Sequence, residues 1–209
     1  MSIVLEKTRR RPRAPLDRYN TPQEFVEAGL ALIEGCPYRI LDVGAGEGIW
    51  GAVAREKWRR SWITGVEISP SRIPDAYTEW VIDDFLARTW EDPFHLVMGN
   101  PPFNLAEAII RHSLDLLDFG GVCVFLLRLA FLESQTRAKG LFREYPPEMV
   151  SVCSSRPRFY GEGSGATAFC YIVFRNGHKG ETNLAWSQIT PAKGAVRKVN
   201  AGVASENPG

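Results

Sequence analysis

The tetrapeptide Asn100-Pro101-Pro102-Phe103 combines the groups needed to handle an amino group conjugated to a π-system. Such a nitrogen is a poor nucleophile because its lone pair is delocalised. Accepting hydrogen bonds from both of its N–H groups, through the Asn100 side-chain oxygen and the Pro101 carbonyl, favours a more pyramidal nitrogen with an available lone pair. Pro101 and Pro102 fix the backbone so that these acceptors converge. Phe103 supplies a face for a planar group, a contact worth about 1–3 kcal/mol in nucleic-acid complexes. Taken alone, the same four residues also read as a rigid loop before a helix. His95, His112 and His178 fall in a strand, a helix and a polar loop and form no catalytic constellation, and the spacing of Cys36, Cys123, Cys153 and Cys170 gives no metal site.

Upstream lies Leu41-Asp42-Val43-Gly44-Ala45-Gly46-Glu47-Gly48, with glycines at alternate positions. Glycine lets a backbone turn tightly and approach a ligand without a Cβ in the way. A dinucleotide fingerprint wants a third glycine where Ile49 stands, so a pyrophosphate cofactor fits poorly. The turn suits a nucleoside that carries a charged amino-acid group instead. Glu67, followed by Ile68, comes 25 residues after Asp42, and an acid there can accept hydrogen bonds from both ribose hydroxyls. Further on, Asp83-Asp84-Phe85 offers a carboxylate for an adenine amino group beside a ring that can pack against the base, although paired acids at a strand end also make ordinary solvated turns.

Apolar stretches of strand length alternating with helical periods must position these residues, which predicts an α/β sheet with helices on both faces. Strands are expected at Arg39–Val43, Trp62–Glu67, Glu79–Ile82, His95–Gly99, Val122–Leu127, Met149–Cys153 and Ala168–Arg175. One helix is expected from Thr21 or Pro22 to Ile33, with Pro22 at its first position and Gly35 just past its end. Another is expected from Asn104 to about Asp118, started by an Asn104/Glu107 capping box and stopped by Gly120 and Gly121. The polar stretch from Asn176 onward is expected to carry little packed structure. The division is thus a basic arm at 1–18, one catalytic domain at 19–175 and a polar tail at 176–209.

With these motifs in this order, the chain from about Tyr19 to Phe174 resembles the class I S-adenosylmethionine-dependent methyltransferases. The resemblance implies a Rossmann-like, doubly wound, seven-stranded sheet whose last strand is antiparallel. It also implies S-adenosyl-L-methionine as cofactor, released as S-adenosyl-L-homocysteine, and no metal. Gly44, Gly46 and Gly48 would hold the methionine part, Asp42 would lie nearer its amino group, Glu67 would hold the ribose and Asp84 the adenine, with Ile68 also at the cofactor. Tyr19-Asn20-Thr21-Pro22 and Arg156-Pro157-Arg158-Phe159-Tyr160-Gly161 are similar to motifs of enzymes that methylate adenine N6 in DNA. In that group the region of Thr21 and Pro22 helps hold the methionine carboxylate, and the aromatic matching Phe159 packs on a target base flipped from the duplex. Arg156 and Arg158, with Arg128, Arg137 and Lys139, would then meet phosphates.

Composition is that of one ordinary domain: 209 residues, 44% hydrophobic, 23% charged, formal net charge +1. Residues 1–18 carry six basic side chains against Glu6 and Asp17, enough for phosphate contacts but equally typical of a solvated terminus. No apolar run approaches membrane-span or secretory-signal length, so a cytoplasmic protein is expected, and the small size would suit a bacterial or phage-encoded enzyme. DNA is the expected partner, with RNA the alternative. The chain departs from the adenine enzymes in having no room for a separate recognition region. Recognition would fall to the loops at 73–78, 131–148 and 161–167, or to a second subunit in a homodimer. The same acceptor tetrapeptide also suits guanine N2 in RNA or a glutamine amide in protein, and a catalytically silent nucleic-acid-binding subunit is a further alternative.

Overall fold

The computed structural model describes residues 20–69, 73–157 and 167–190. The arm at 1–18, Tyr19, Arg158 and Phe159 lie outside them. Largely apolar stretches become the strands β1 (Arg39–Val43), β2 (Trp62–Glu67), β3 (Glu79–Ile82), β4 (Phe94–Gly99), β5 (Leu117–Arg128), β6 (Met149–Cys153) and β7 (Phe169–Arg175), and β1, β2, β4 and β7 are largely buried on both faces, whereas β3 is exposed at Glu79 and Ile82. They pair in the order β3-β2-β1-β4-β5-β7-β6, all parallel except β7, which runs antiparallel to both of its neighbours. Helices α1 (Gln23–Ala31) and α2 (Ile49–Lys57) cover one face, and α3 (Ala106–Asp115) covers the other.

The sheet has eight strands, not seven. Asn183–Ser187, within the stretch expected to lack packed structure, forms β8 and pairs parallel with β6 at the sheet edge. Its signal is weak because Leu184 and Trp186 stay exposed while Ser187 is buried, the reverse of an amphipathic strand. The segment at 131–148 is likewise no open loop. It holds a 3-10 turn (Leu129–Leu132), α4 (Gln135–Lys139) and α5 (Leu141–Glu144), anchored by buried Phe131 and Leu141.

Two helix boundaries also differ from expectation. Pro22 is extended at ψ 141° and stands at the N-cap of α1, where its carbonyl accepts from the Phe25 and Val26 amides. Helix α3 begins at Ala106 with Leu105 at its N-cap and no side-chain cap, so the Asn104/Glu107 box does not form. It ends at Asp115, and Gly120 and Gly121 lie inside β5. There the pairing with β4 slips between Phe94 and Leu96, and Gly120 takes φ 77°, so these glycines serve a bulge and not a helix stop.

Helix α1 matters because it fixes the chain just before it. Its Phe25, Val26 and Leu30 bury against the sheet, and the hydroxyl of fully buried Tyr171 in β7 donates to the Phe25 carbonyl at 2.5 Å. Burial of the Tyr171 ring raises the phenol's pKa far above its ordinary value, so the hydroxyl stays a donor. Tyr171→Phe should lower the unfolding free energy by about 1–2 kcal/mol, read from urea midpoints at unchanged slope. An unchanged midpoint would mean that apolar packing alone seats the helix.

Candidate functional site

Three strand ends converge at the carboxyl edge of the sheet, where open α/β folds bind ligands. After β1 the chain turns through Gly44, Gly46 and Gly48 at φ 68°, 53° and 85°, conformations that residues with a Cβ rarely adopt. The Gly44 and Ala45 amides donate to the Val66 carbonyl, pinning the loop onto the end of β2. There Glu67, 9% exposed, accepts from the Gly46 amide through Oε2 at 3.0 Å and from the Ser69 amide through Oε1 at 3.1 Å. Each carboxylate oxygen keeps a free lone pair, and the space beside Gly44 is open. This donor set fits a vicinal diol, and the loop leaves room for the group attached to it. Ile68, beside it, is exposed.

Asp42, expected near the amino group of a cofactor, is fully buried beneath that loop. Its Oδ2 accepts from the Tyr77 hydroxyl at 2.6 Å, and its Oδ1 meets no hydrogen-bond partner of good geometry among the described residues. Burial pushes the carboxyl up to about 7, while the Tyr77 hydrogen bond and the Gly51 amide pull it back down. The phenol of Tyr77 is raised by its own burial and by the Asp42 charge. Its ring fits because Gly51 has no Cβ: one there would lie 2.3 Å from the ring. Residues 73–78, expected as a recognition loop, therefore include an internal strut.

The end of β3 meets Glu67 through the Asp83 amide, which donates to the Glu67 carbonyl at 3.2 Å. Asp84 closes a turn by accepting from the Leu86 amide at 3.0 Å, which leaves its Oδ2 without a donor among the described residues. Phe85 is in the core, 6% exposed and edge-on to His112 at 4.7 Å, so its ring packs mainly inward.

Asn100-Pro101-Pro102-Phe103 leaves β4 after Gly99, a position where a Cβ would stand 2.6 Å from the Val43 carbonyl of β1. The close approach of the two strand ends requires glycine there. Asn100 Nδ2 donates to the Thr21 hydroxyl at 3.1 Å, bringing together residues 79 apart in sequence. Among the described residues no donor meets Asn100 Oδ1 or the Pro101 carbonyl. Phe103 is half-buried, with the Phe169 ring centroid 6.0 Å away and the Arg128 guanidinium 4.0 Å over its own ring. Arg128, expected to meet phosphate, thus covers a face that a planar substrate would use, and its buried Nε has no partner among the described residues. Arg137 is likewise committed, donating to the Phe131 carbonyl at 2.7 Å and stacking on that ring. Arg156 is exposed and Lys139 is exposed on α4.

Sequence reasoning thus located the glycine loop, Glu67, Asp84, Asn100 and Thr21 at one edge. It missed Tyr77, Gly99 and the stacking of Arg128, none of which belongs to a local motif. A groove of about 630 Å³ lies elsewhere, lined by Arg39, Trp62, Glu79, Asp83, Arg88 and Trp90 among others. Its arginines are already paired with Asp92 and Asp83, and it holds none of the glycine-loop or Asn100 residues.

No family model matches the chain. Over 100 residues it is 32% identical to the release factor glutamine methyltransferase of Rhodospirillum rubrum, a match that takes in 42% of this chain and 30% of that protein. The chain therefore spans under a third of the length of that curated relative. Among solved structures it is similar to the M protein of the type I restriction enzyme EcoKI, at TM-score 0.64 and 15% identity over 78% of this chain and 44% of that one. It is also similar to the N-methyltransferase NodS of Bradyrhizobium japonicum WM9 in complex with S-adenosyl-L-homocysteine, at TM-score 0.53 and 16% identity over 75% and 86%. The fold is that of the class I methyltransferases.

The Asp42 carboxyl titrates near 7 in the folded chain against 3.8 ordinarily, so its neutral form favours folding. That contribution is full below about pH 4 and is lost as pH rises through about 7. Wild-type stability should therefore fall between about pH 4 and 7 relative to Asp42→Asn, which still accepts from Tyr77 but does not ionise. The gap should reach on the order of a few kcal/mol. Denaturant midpoints across that range measure it, and parallel pH profiles would contradict the burial argument.

Proposed function

We propose that this chain is an S-adenosylmethionine-dependent methyltransferase acting on an exocyclic amino nitrogen, with adenine N6 in DNA as its substrate. The observation that carries this reading is the Asn100–Phe103 turn at the end of β4, with two oxygen acceptors that meet no donor among the described residues beside an aromatic ring, next to a glycine loop and Glu67 that suit a nucleoside. When bound, S-adenosylmethionine supplies a methyl group already activated on a sulfonium. Glu67 accepts from the ribose hydroxyls with its remaining lone pairs, Ile68 and Asp84 border the adenine, and Gly44, Gly46 and Gly48 leave room for the methionine part.

Asn100 Oδ1 and the Pro101 carbonyl then accept the two N–H groups of the target and turn its lone pair toward the methyl. Pro102 holds the turn. Phe103 stacks on the base, which takes the place of the Arg128 guanidinium on that ring, and Arg156, with Arg158 and Phe159, meets the flipped nucleotide and its backbone. The likeness to the EcoKI M protein supports a DNA substrate. A second reading, methylation of a glutamine amide in protein, is favoured by the sequence match to a release factor glutamine methyltransferase. A silent subunit would have no use for the acceptor pair.

Labelled methyl offered with duplex DNA, single-stranded DNA, ribosomal RNA and release factor in parallel separates these substrates. N6-methyladenine from DNA supports the proposal, whereas label on glutamine or on guanine N2 moves the substrate and keeps the chemistry. Asn100→Ala should lower kcat by at least about 100-fold while cofactor affinity changes little. Glu67→Ala should weaken cofactor binding about 10- to 100-fold by titration calorimetry, since two hydrogen bonds to a charged group are lost. An Asn100→Ala variant at wild-type rate would remove the acceptor from the mechanism.

A further inference from the structure

The side chain of Asn100 can serve the proposed chemistry in only one of its two orientations. Rotated one way, the carboxamide presents an oxygen to the target amine; rotated the other way, it presents an NH2 that faces the amine donor to donor. The backbone does not choose between them. Gly99 and Pro101 fix the main chain on either side of Asn100, but the terminal torsion of an asparagine is broad and close to two-fold. The choice falls to whatever the inner end of the amide meets.

That partner is Thr21. Its Oγ1 accepts from Asn100 Nδ2 at 3.1 Å, and the residue is 5% exposed. Thr21 has little freedom to leave. Pro22 follows it and restricts it to extended conformations, Pro22 is itself the N-cap of α1, and α1 is seated on the sheet by Phe25, Val26, Leu30 and the hydroxyl of Tyr171. In the observed bond the Thr21 hydroxyl is the acceptor and the Asn100 NH2 the donor, with the Thr21 proton directed away from the amide. With the Asn100 NH2 held inward, Oδ1 is the atom turned outward.

We infer that Thr21 is a positioning residue: it accepts the Asn100 NH2 so that Oδ1 faces the target amine, and so acts on the reaction through Asn100 and not by gripping the cofactor. This inference rests on the function proposed above. It differs from the role that sequence resemblance implied for Thr21, contact with the methionine carboxylate, and the two roles move different quantities.

Thr21→Val keeps the shape of the side chain and removes the acceptor, and Thr21→Ser restores the acceptor. If Thr21 positions Asn100, the valine variant loses about 10- to 100-fold in kcat. Its affinity for S-adenosyl-L-homocysteine, measured by calorimetry, stays within about 2-fold of wild type, and serine recovers most of the rate. A readout independent of turnover is the Asn100 side-chain NH2 signal in a ¹⁵N-labelled sample, identified by its absence in Asn100→Asp. It should shift and exchange faster with solvent in Thr21→Val and return in Thr21→Ser. Thermal unfolding checks that both variants are folded. Weakened cofactor binding at unchanged kcat, or an unmoved Asn100 signal in the valine variant, would overturn the inference. Absence of methyl transfer by wild type to every substrate in the panel would instead count against the proposed function, and the calorimetric and NMR comparisons would still decide the role of Thr21.

Discussion

The hydrogen bond between the buried Asp42 carboxyl and the Tyr77 hydroxyl is the constraint around which the candidate site is arranged. It ties the last turn of β1 to the segment entering β3, across the base of the glycine loop. Its partners can approach because Gly48, Gly51 and Gly65 carry no side chains where the Tyr77 ring and the nearby Pro74 and Trp80 pack. With this strut in place, the loop has to pass over the end of β2. There the Val66 carbonyl takes two of its amides and the Glu67 carboxylate takes a third. Glycines in this stretch thus do two separate jobs: Gly44 and Gly46 leave space on the open side of the loop, and Gly51 leaves space for the strut beneath it.

The second half of the site rests on β4 and is built differently. Gly99 lets the end of β4 come against the Val43 carbonyl, Pro101 and Pro102 stiffen the exit, and Thr21 reaches in from the segment ahead of α1. Arg128 arrives from the end of β5 and lies on Phe103. A guanidinium over an aromatic ring gains roughly 0.5–2 kcal/mol, a modest stake that a well-stacked base matches. The site therefore has one rigid wall, made by β1 and β2, and one wall whose aromatic face has a replaceable cover.

Much of this was legible in the sequence, for identifiable reasons. The strands at Arg39–Val43, Trp62–Glu67, Glu79–Ile82 and Met149–Cys153 have the expected bounds because each is a short apolar run closed by turn-forming or polar residues. Strand β8 was not legible, since its two large apolar residues point to solvent and only its neighbour β6 defines it. Gly120 and Gly121 were misread for the opposite reason: a glycine pair after a helical period signals a helix stop, and only the slipped pairing with β4 shows that it serves a bulge. Of the site, the positions of the glycine loop, Glu67 and Asn100 could be read because each follows a strand directly. Tyr77 and the stacking of Arg128 on Phe103 could not, because the partner of Tyr77 lies 35 residues away and that of Arg128 across the strand ends.

The 79-residue separation of Thr21 from Asn100 has a consequence for the order in which the molecule can acquire its site. Bringing such distant segments together costs loop-closure entropy that only the assembled sheet repays. Strands β1 and β4, whose ends carry the two walls, become neighbours only after β2 and β3 have been passed over. Helix α1, first of the described elements in the chain, reaches its seat only when β7, near the end, supplies Tyr171. The chain therefore cannot hold Asn100 against Thr21 while it is partly folded or partly synthesised. Productive geometry at this edge is a late event of folding, and a ligand that binds only the finished site stabilises the whole sheet by mass action rather than one local segment of it.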